Sequence, residues 1–180
     1  MNITLIRHTS VDIPKGTCYG QTDVPLAQSF PQEAAETKAQ LDYIQLKQGP
    51  FQAAFSSPLT RAFRLAQFCG FPNATKDPRL MEMNMGDWEM QKYDEINDEA
   101  LQMWYDDYMN LKATNGEGFP DLYQRVANFL DELKTKPFLS VAIFAHGGTL
   151  LAAGIYAGLF PKESCFQHLP PFGGIIRYVL

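Results

Sequence analysis

No stretch of the chain stays apolar for the roughly 18 residues that a membrane-spanning helix needs, and its first residues hold no basic segment followed by a cleavable apolar run. Neither a membrane span nor a secretory leader is expected. Basic residues are also in deficit, 15 Lys and Arg against 20 Asp and Glu for a net charge of −5, with no dense cationic run. That balance argues against a nucleic acid or an anionic membrane as partner. Cysteine is limited to Cys18, Cys69 and Cys165, too scattered for a zinc site or a disulfide framework, so reduced thiols and a cytoplasmic location are expected. The residues six positions after them are Val24, Thr75 and Pro171, which excludes the Cys-to-Arg spacing of cysteine phosphatases. Gly-x4-Gly-Lys and His-Glu-x-x-His are missing as well, and neither a metal nor a cofactor is expected.

What the chain does have is the material of an ordered core: 46% apolar and 13% aromatic residues in 180, a length that suits a single domain spanning residues 1–180. Short apolar runs alternate with amphipathic ones. Strands are predicted at Ile3 to Ile6, Ala53 to Phe55, Val141 to Phe144 and Ile175 to Leu180, with a weaker one at Arg79 to Met81. Helices are predicted at Gln32 to Leu46, Pro58 to Cys69, Leu101 to Leu111, Leu122 to Leu133 and Thr149 to Ala157. Strands interleaved with helices imply an α/β fold, a mostly parallel sheet covered on both faces as a three-layer α/β/α sandwich. Loops at Asp12 to Ser29, Glu82 to Glu95 and Asn115 to Pro120 are expected to decorate one rim.

Two of the three histidines end predicted strands: "LIRHTS" puts Arg7 and His8 after the first, and "SVAIFAHGGTL" puts His146 and Gly147 after a later one. Ligands of open α/β sheets sit at those carboxyl ends. Between them, "SSPLTRA" places Ser57 as a predicted N-cap, Pro58 at the first helical position and Arg61 near the first turn. A helix N-terminus and two guanidinium groups favour an anion, and phosphate matches the paired donors of arginine. A neutral imidazole can attack phosphorus and hold the phosphoryl group covalently, and either histidine would serve. The leaving oxygen needs a proton from a carboxylic acid. Glu82 in "RLMEMNMGDWEM" offers one, with Asp87 and Glu89 as competitors that spacing does not separate.

At these residues the chain resembles the histidine phosphatase superfamily, the phosphoglycerate mutase-like proteins. "LIRHTS" is similar to the family's Arg-His element, "SSPLTRA" to its second arginine element, "LMEMNMGDWE" to its acid-bearing loop and "AHGG" to its second histidine. "CYGQTDVPLA" and "NGEGFPDLYQRVANFL" extend the likeness over most of the chain, although Thr9 and Ser10 replace a common Gly-Glu and Gly118 a common serine. The resemblance implies a phosphoglycerate mutase-like fold with His8 as the phosphorylated nucleophile. Arg7 and Arg61 become phosphate clamps, His146 the second pocket histidine and Glu82 the proton donor. The stretch "RHTSVDIPKGTCYGQTDVPLA" looks most like the α-ribazole phosphatase branch, which acts on α-ribazole 5′-phosphate in cobalamin nucleotide-loop assembly.

The expected partner is thus a small phosphorylated metabolite, met by a monomer or homodimer. A broad-specificity sugar or nucleotide phosphatase, a phosphoglycerate mutase and an inactive phospholigand-binding module stand as alternatives. Tyr19, Gly20 and Gln21 either line the pocket or form a turn. The set Met81, Met83, Met85, Trp88, Trp104, Tyr105 and Tyr108 suits packing more than a ligand wall, though a planar base would fit such a wall. His168 is expected to be structural.

Overall fold

The computed structural model describes all 180 residues. Five strands form one sheet in the order β3-β2-β4-β1-β5: β1 is Asn2–Arg7, β2 Ala53–Ser56, β3 Thr75–Lys76, β4 Ser140–Ala145 and β5 Ile175–Val179. Strands β1 to β4 run parallel, and β5 pairs antiparallel with β1 at one edge. The helices are α1 (Phe30–Gln48), α2 (Thr60–Phe68), α3 (Glu99–Asp106), α4 (Phe119–Lys134) and α5 (Gly147–Tyr156).

The two-residue alternation of a strand sorts the core into two layers. Ile3 and Leu5 of β1 and Val141, Ile143 and Ala145 of β4 pack with α4 and α5. On the other face, Ile6, Ala142 and Phe144 pack with Leu41 and Ile44 of α1 and Leu65 and Ala66 of α2. All six residues of β4 are buried, as expected for a central parallel strand covered on both sides. The result is the expected three-layer α/β/α sandwich. No helix is long and apolar enough to cross a membrane, and the three cysteines are free and buried.

A third, smaller cluster of Cys18, Met85, Trp88, Leu101 and Ala113 builds a rim over the carboxyl ends of the strands. Asp98 organises it: its carboxylate accepts from Ala100 N at the start of α3 and, at 2.7 Å, from Trp88 Nε1.

Three expectations of local structure need correction. Arg79 to Met81 is not a strand; Pro78–Leu80 is a 3-10 turn whose cap, Asp77, accepts from Arg79 N. An apolar triplet fits either form, and the proline with a preceding aspartate decides for the turn. The third helix stops at Asp106 rather than Leu111. Ser57 and Pro58 lie before α2, which begins at Thr60.

Candidate active site

Strand register brings the distant histidines together. Arg7 of β1 pairs with Ala145 of β4, and His8 N donates to Ala145 O at 3.0 Å, so His8 and His146 leave neighbouring parallel strands at one level. Their ring centroids are 5.1 Å apart. Strand β2 adds a third position at this level: Ser57 N donates to Phe144 O, and Ser57 Oγ lies 2.8 Å from His146 Nε2. That contact, together with acceptance from Leu59 N at 3.2 Å, is the observed role of Ser57.

At the amino end of α2 the first two N–H groups already have partners, Leu59 N in Ser57 Oγ and Thr60 N in Asp23. Thr60 N donates to Asp23 Oδ1 at 2.9 Å, so a carboxylate from the loop before α1 occupies this end. The charge that favours an anion in this region comes from the Arg7 and Arg61 side chains.

His8 is 3% exposed, and its Nδ1 lies 2.7 Å from Thr9 O. A carbonyl only accepts, so Nδ1 carries the proton and Nε2 keeps the lone pair. Burial and the neighbouring Arg61 charge push the imidazole down to about 3, with the Thr9 bond opposing and Arg7 adding to the shift. His146 is fully buried and also held well below the usual imidazole range by burial, Arg61 and His8. Both rings are neutral near pH 7.

Arg7 donates from Nη1 to Pro170 O at 2.6 Å, and its guanidinium carbon stacks 4.3 Å over the Phe172 ring. Phe172 also packs on His8, with centroids 5.4 Å apart. Arg61 is 0% exposed and donates to Gly20 O at 2.6 Å and Thr22 O at 2.9 Å. Neither arginine has a salt bridge, and burial lowers both from their usual range against the partial support of Glu82 and Tyr19. Arg7 Nε, Arg61 Nε and His146 Nδ1 are buried without a partner. Buried polar atoms are almost always satisfied, so three orphans grouped about His8 mark a place for a polar ligand, and the two cations specify an anion.

Glu82 and Glu89 separate cleanly. Glu82 holds its carboxylate between Met83 N (2.9 Å) and Gly148 N (3.0 Å), at the first turn of α5. Glu89 turns inward and accepts from Gln21 N, Thr22 N and Met85 N. Burial opposes its ionisation, but the bonds from Thr22, Gln21 and Met85 prevail and hold the carboxyl below its ordinary value. Asp87 accepts from Asn115 Nδ2 on the exposed side of the loop. Arg125 of α4 fixes the backbone beneath Glu82 by donating to Met81 O at 2.6 Å and Glu82 O at 2.8 Å, while pairing with Glu117 at 2.9 Å.

A cavity of about 250 Å³ opens at this place, lined by Arg7, His8, Tyr19, Glu82, Gly147 and Gly148 at its polar end. Arg61 and His146 are absent from this lining and adjoin it, the Arg61 guanidinium carbon 5.3 Å from the Tyr19 ring and the His146 ring beside His8. Gly20 and Gln21 are not in the lining either. Gly20 gives its carbonyl to Arg61, and Gln21 donates its side-chain amide to Glu82 O, so both support the wall from behind. His168 stacks flat on Phe160 at 4.5 Å, away from the cavity.

A Cβ at Gly148 would stand 2.4 Å from Glu82 Oε1 and 2.9 Å from Leu122 Cδ2. Both are side-chain ends, so Gly148→Ala is expected to expel the Glu82 carboxylate while the fold persists. Turnover of an alkyl phosphate should fall about 10- to 100-fold, with a loss of thermal stability too small to unfold the chain. Unchanged turnover would show that this carboxylate seat is irrelevant.

The chain matches the histidine phosphatase superfamily (branch 1) over residues 3–168. It belongs to that family. That membership supports phosphatase activity, and the phosphatase relatives do not agree on a substrate. An adenosylcobalamin/alpha-ribazole phosphatase of Salmonella typhimurium is 28% identical over 158 residues, 83% of this chain and 76% of that protein. Phosphoserine phosphatase 1 of Hydrogenobacter thermophilus is 24% identical over 154 residues, 81% of this chain and 71% of the relative. The crystal structure of the alpha-ribazole phosphatase from Shigella flexneri superposes with a TM-score of 0.86 at 27% identity, covering 100% of this chain and 91% of that one.

For this histidine phosphatase, the buried neutral imidazoles give a signed dependence of stability on pH. The His8 pKa is about 3 folded against about 6.5 unfolded, so the unfolded chain binds more protons between those values. Stability is complete above about pH 6.5 and is lost as pH falls toward 3. Between pH 6.5 and 4.5, where most carboxylates stay ionised, the loss from His8 is on the order of 2 kcal/mol, and the lowered His146 adds a loss of the same sign. Thermal melts of the wild type and His8→Gln check this, the variant showing the shallower decline; parallel declines would contradict the assignment.

Proposed function

We propose that the chain is a metal-independent phosphomonoesterase that works through a phosphohistidine and takes α-ribazole 5′-phosphate as its substrate. His8 Nε2 attacks phosphorus and the ester P–O bond breaks. Glu82 gives a proton to the leaving alkoxide. Water, deprotonated by Glu82, then attacks phosphorus; the P–N bond breaks and phosphate leaves, returning His8 to its neutral form. Arg7, Arg61 and His146 hold the phosphoryl oxygens through donors that are already in place. Tyr19 and Gly147 border the same seat.

The observation that carries this reading is His8 itself, its proton fixed on Nδ1 beside the unpartnered buried nitrogens of Arg7, Arg61 and His146. Two guanidinium groups supply the charge that metal ions provide in other phosphoryl-transfer sites, and no three His, Cys, Asp or Glu side chains gather as metal ligands. The substrate is supported by the Salmonella and Shigella relatives and by the cavity wall, 11 of whose 16 residues are hydrophobic. Such a wall suits an aromatic base better than the charged amino acid of phosphoserine. The free, buried thiols fit a reducing cytoplasm.

The test is a substrate panel in excess chelator: α-ribazole 5′-phosphate, ribose 5-phosphate, phosphoserine and 3-phosphoglycerate. The highest kcat/KM is expected for the first, undiminished by chelation. Loss of activity with chelator, or preference for phosphoserine, would contradict the corresponding half of the proposal.

A further inference from the structure

The rim carries two indoles in edge-to-face contact, centroids 5.7 Å apart, and they differ in one respect. Trp88 Nε1 donates to Asp98, whereas Trp104 Nε1 is buried with no partner. Trp104 lines the cavity that begins at His8, at its apolar end with Met83, Tyr108, Phe119 and Phe166. Its ring is held by Trp88, Tyr105 and Tyr108, all with centroids within 6.2 Å.

A buried N–H left unmade is costly, on the order of 1–3 kcal/mol, and indole offers one donor and no acceptor. Beside Met83, Phe119 and Phe166, with the Tyr108 hydroxyl as the other polar group at this end, the ligand that suits it is planar, largely apolar and equipped with an acceptor for the indole. We propose that Trp104 is the specificity-determining residue of this site, donating through Nε1 to the unsubstituted ring nitrogen of a benzimidazole-type base. This rests on the α-ribazole 5′-phosphate reading and names the group that reads its base. Dimethylbenzimidazole attached through one nitrogen presents one remaining ring-nitrogen acceptor and otherwise only carbon to the wall. A purine brings several further polar atoms, including an exocyclic group, that Met83, Phe119 and Phe166 leave unpaired. The sugar of ribose 5-phosphate leaves both the wall and the indole N–H unused.

The experiment uses the whole chain and two unphosphorylated ribosides, α-ribazole and its indole counterpart with CH in place of the free ring nitrogen. Calorimetric dissociation constants are measured for wild type and Trp104→Phe, and kcat/KM for the matching 5′-phosphates. Wild type is expected to favour the benzimidazole by about fivefold in both measurements, as one neutral hydrogen bond would give, and Trp104→Phe to favour neither. Equal affinity of the wild type for the two ribosides, or discrimination that survives in Trp104→Phe, overturns the assignment. The wild-type comparison needs no variant to fold. The two readings fail separately: nitrogen-dependent binding without hydrolysis of either phosphate would uphold Trp104 and sink the phosphatase substrate, whereas hydrolysis indifferent to the nitrogen would do the reverse.

Discussion

His8→Ala is expected to lower kcat for every phosphomonoester by about 10⁴-fold or more. The residue that carries the lone pair is gone, and nothing else in the cavity can replace it. His146 is the other imidazole, but it is fully buried, with Nε2 at Ser57 Oγ, and does not line the cavity. The residual rate is that of water attacking a phosphate still held by Arg7 and Arg61. Binding of the product phosphate should survive, since the cations remain. Steady-state kinetics with alkyl and aryl phosphates check the rate, and calorimetry checks the binding. Turnover within tenfold of wild type would remove His8 from the chemistry.

Glu82→Gln has the second-largest expected effect, and its signature is the dependence on the leaving group. An alkoxide needs a proton as the P–O bond breaks, so hydrolysis of α-ribazole 5′-phosphate should fall by about 10³-fold, within the usual range for general acid catalysis. p-Nitrophenolate departs without help, and the first step with p-nitrophenyl phosphate should be nearly unaffected. The second step still lacks its base. A burst of nitrophenolate of about one equivalent, followed by slow turnover, is therefore expected in a stopped-flow experiment. Equal losses for the two substrates and no burst would assign the proton to another group. Glu89 is a poor substitute because three backbone N–H groups already occupy its carboxylate.

The sequence carried the reacting groups plainly and their supports poorly. Arg7, His8 and His146 end short apolar runs bounded as buried strands are, and the parallel register of β1 with β4 then brings the two histidines together. Glu82 and Glu89 stand seven residues apart in one loop, and no periodicity distinguishes them; only the inward turn of Glu89 does. The partners of Arg7 were illegible for a different reason. Pro170 O lies 163 positions away, and a backbone carbonyl in "LPPFGG" has no composition signal. Phe172, which covers both Arg7 and His8, lies in that same stretch, and nothing in the sequence marks either contact. Ser57 shows the limit of local rules: a serine before a proline predicts a cap, but the neighbouring strand end claims its hydroxyl, and Asp23 from another loop caps the helix instead. Helix α3 ends at Asp106, and Met109 beyond it packs into the main core rather than continuing the helix face that Leu101 presents to the rim.

The most direct test is rapid acid-free quench of the wild type with substrate labelled in its phosphoryl group, followed by peptide mapping. Label bound to the protein, stable to alkali, labile to acid and carried by the peptide containing His8 is the predicted result. Hydrolysis at full rate with no label on His8, or label on any other residue, would contradict it.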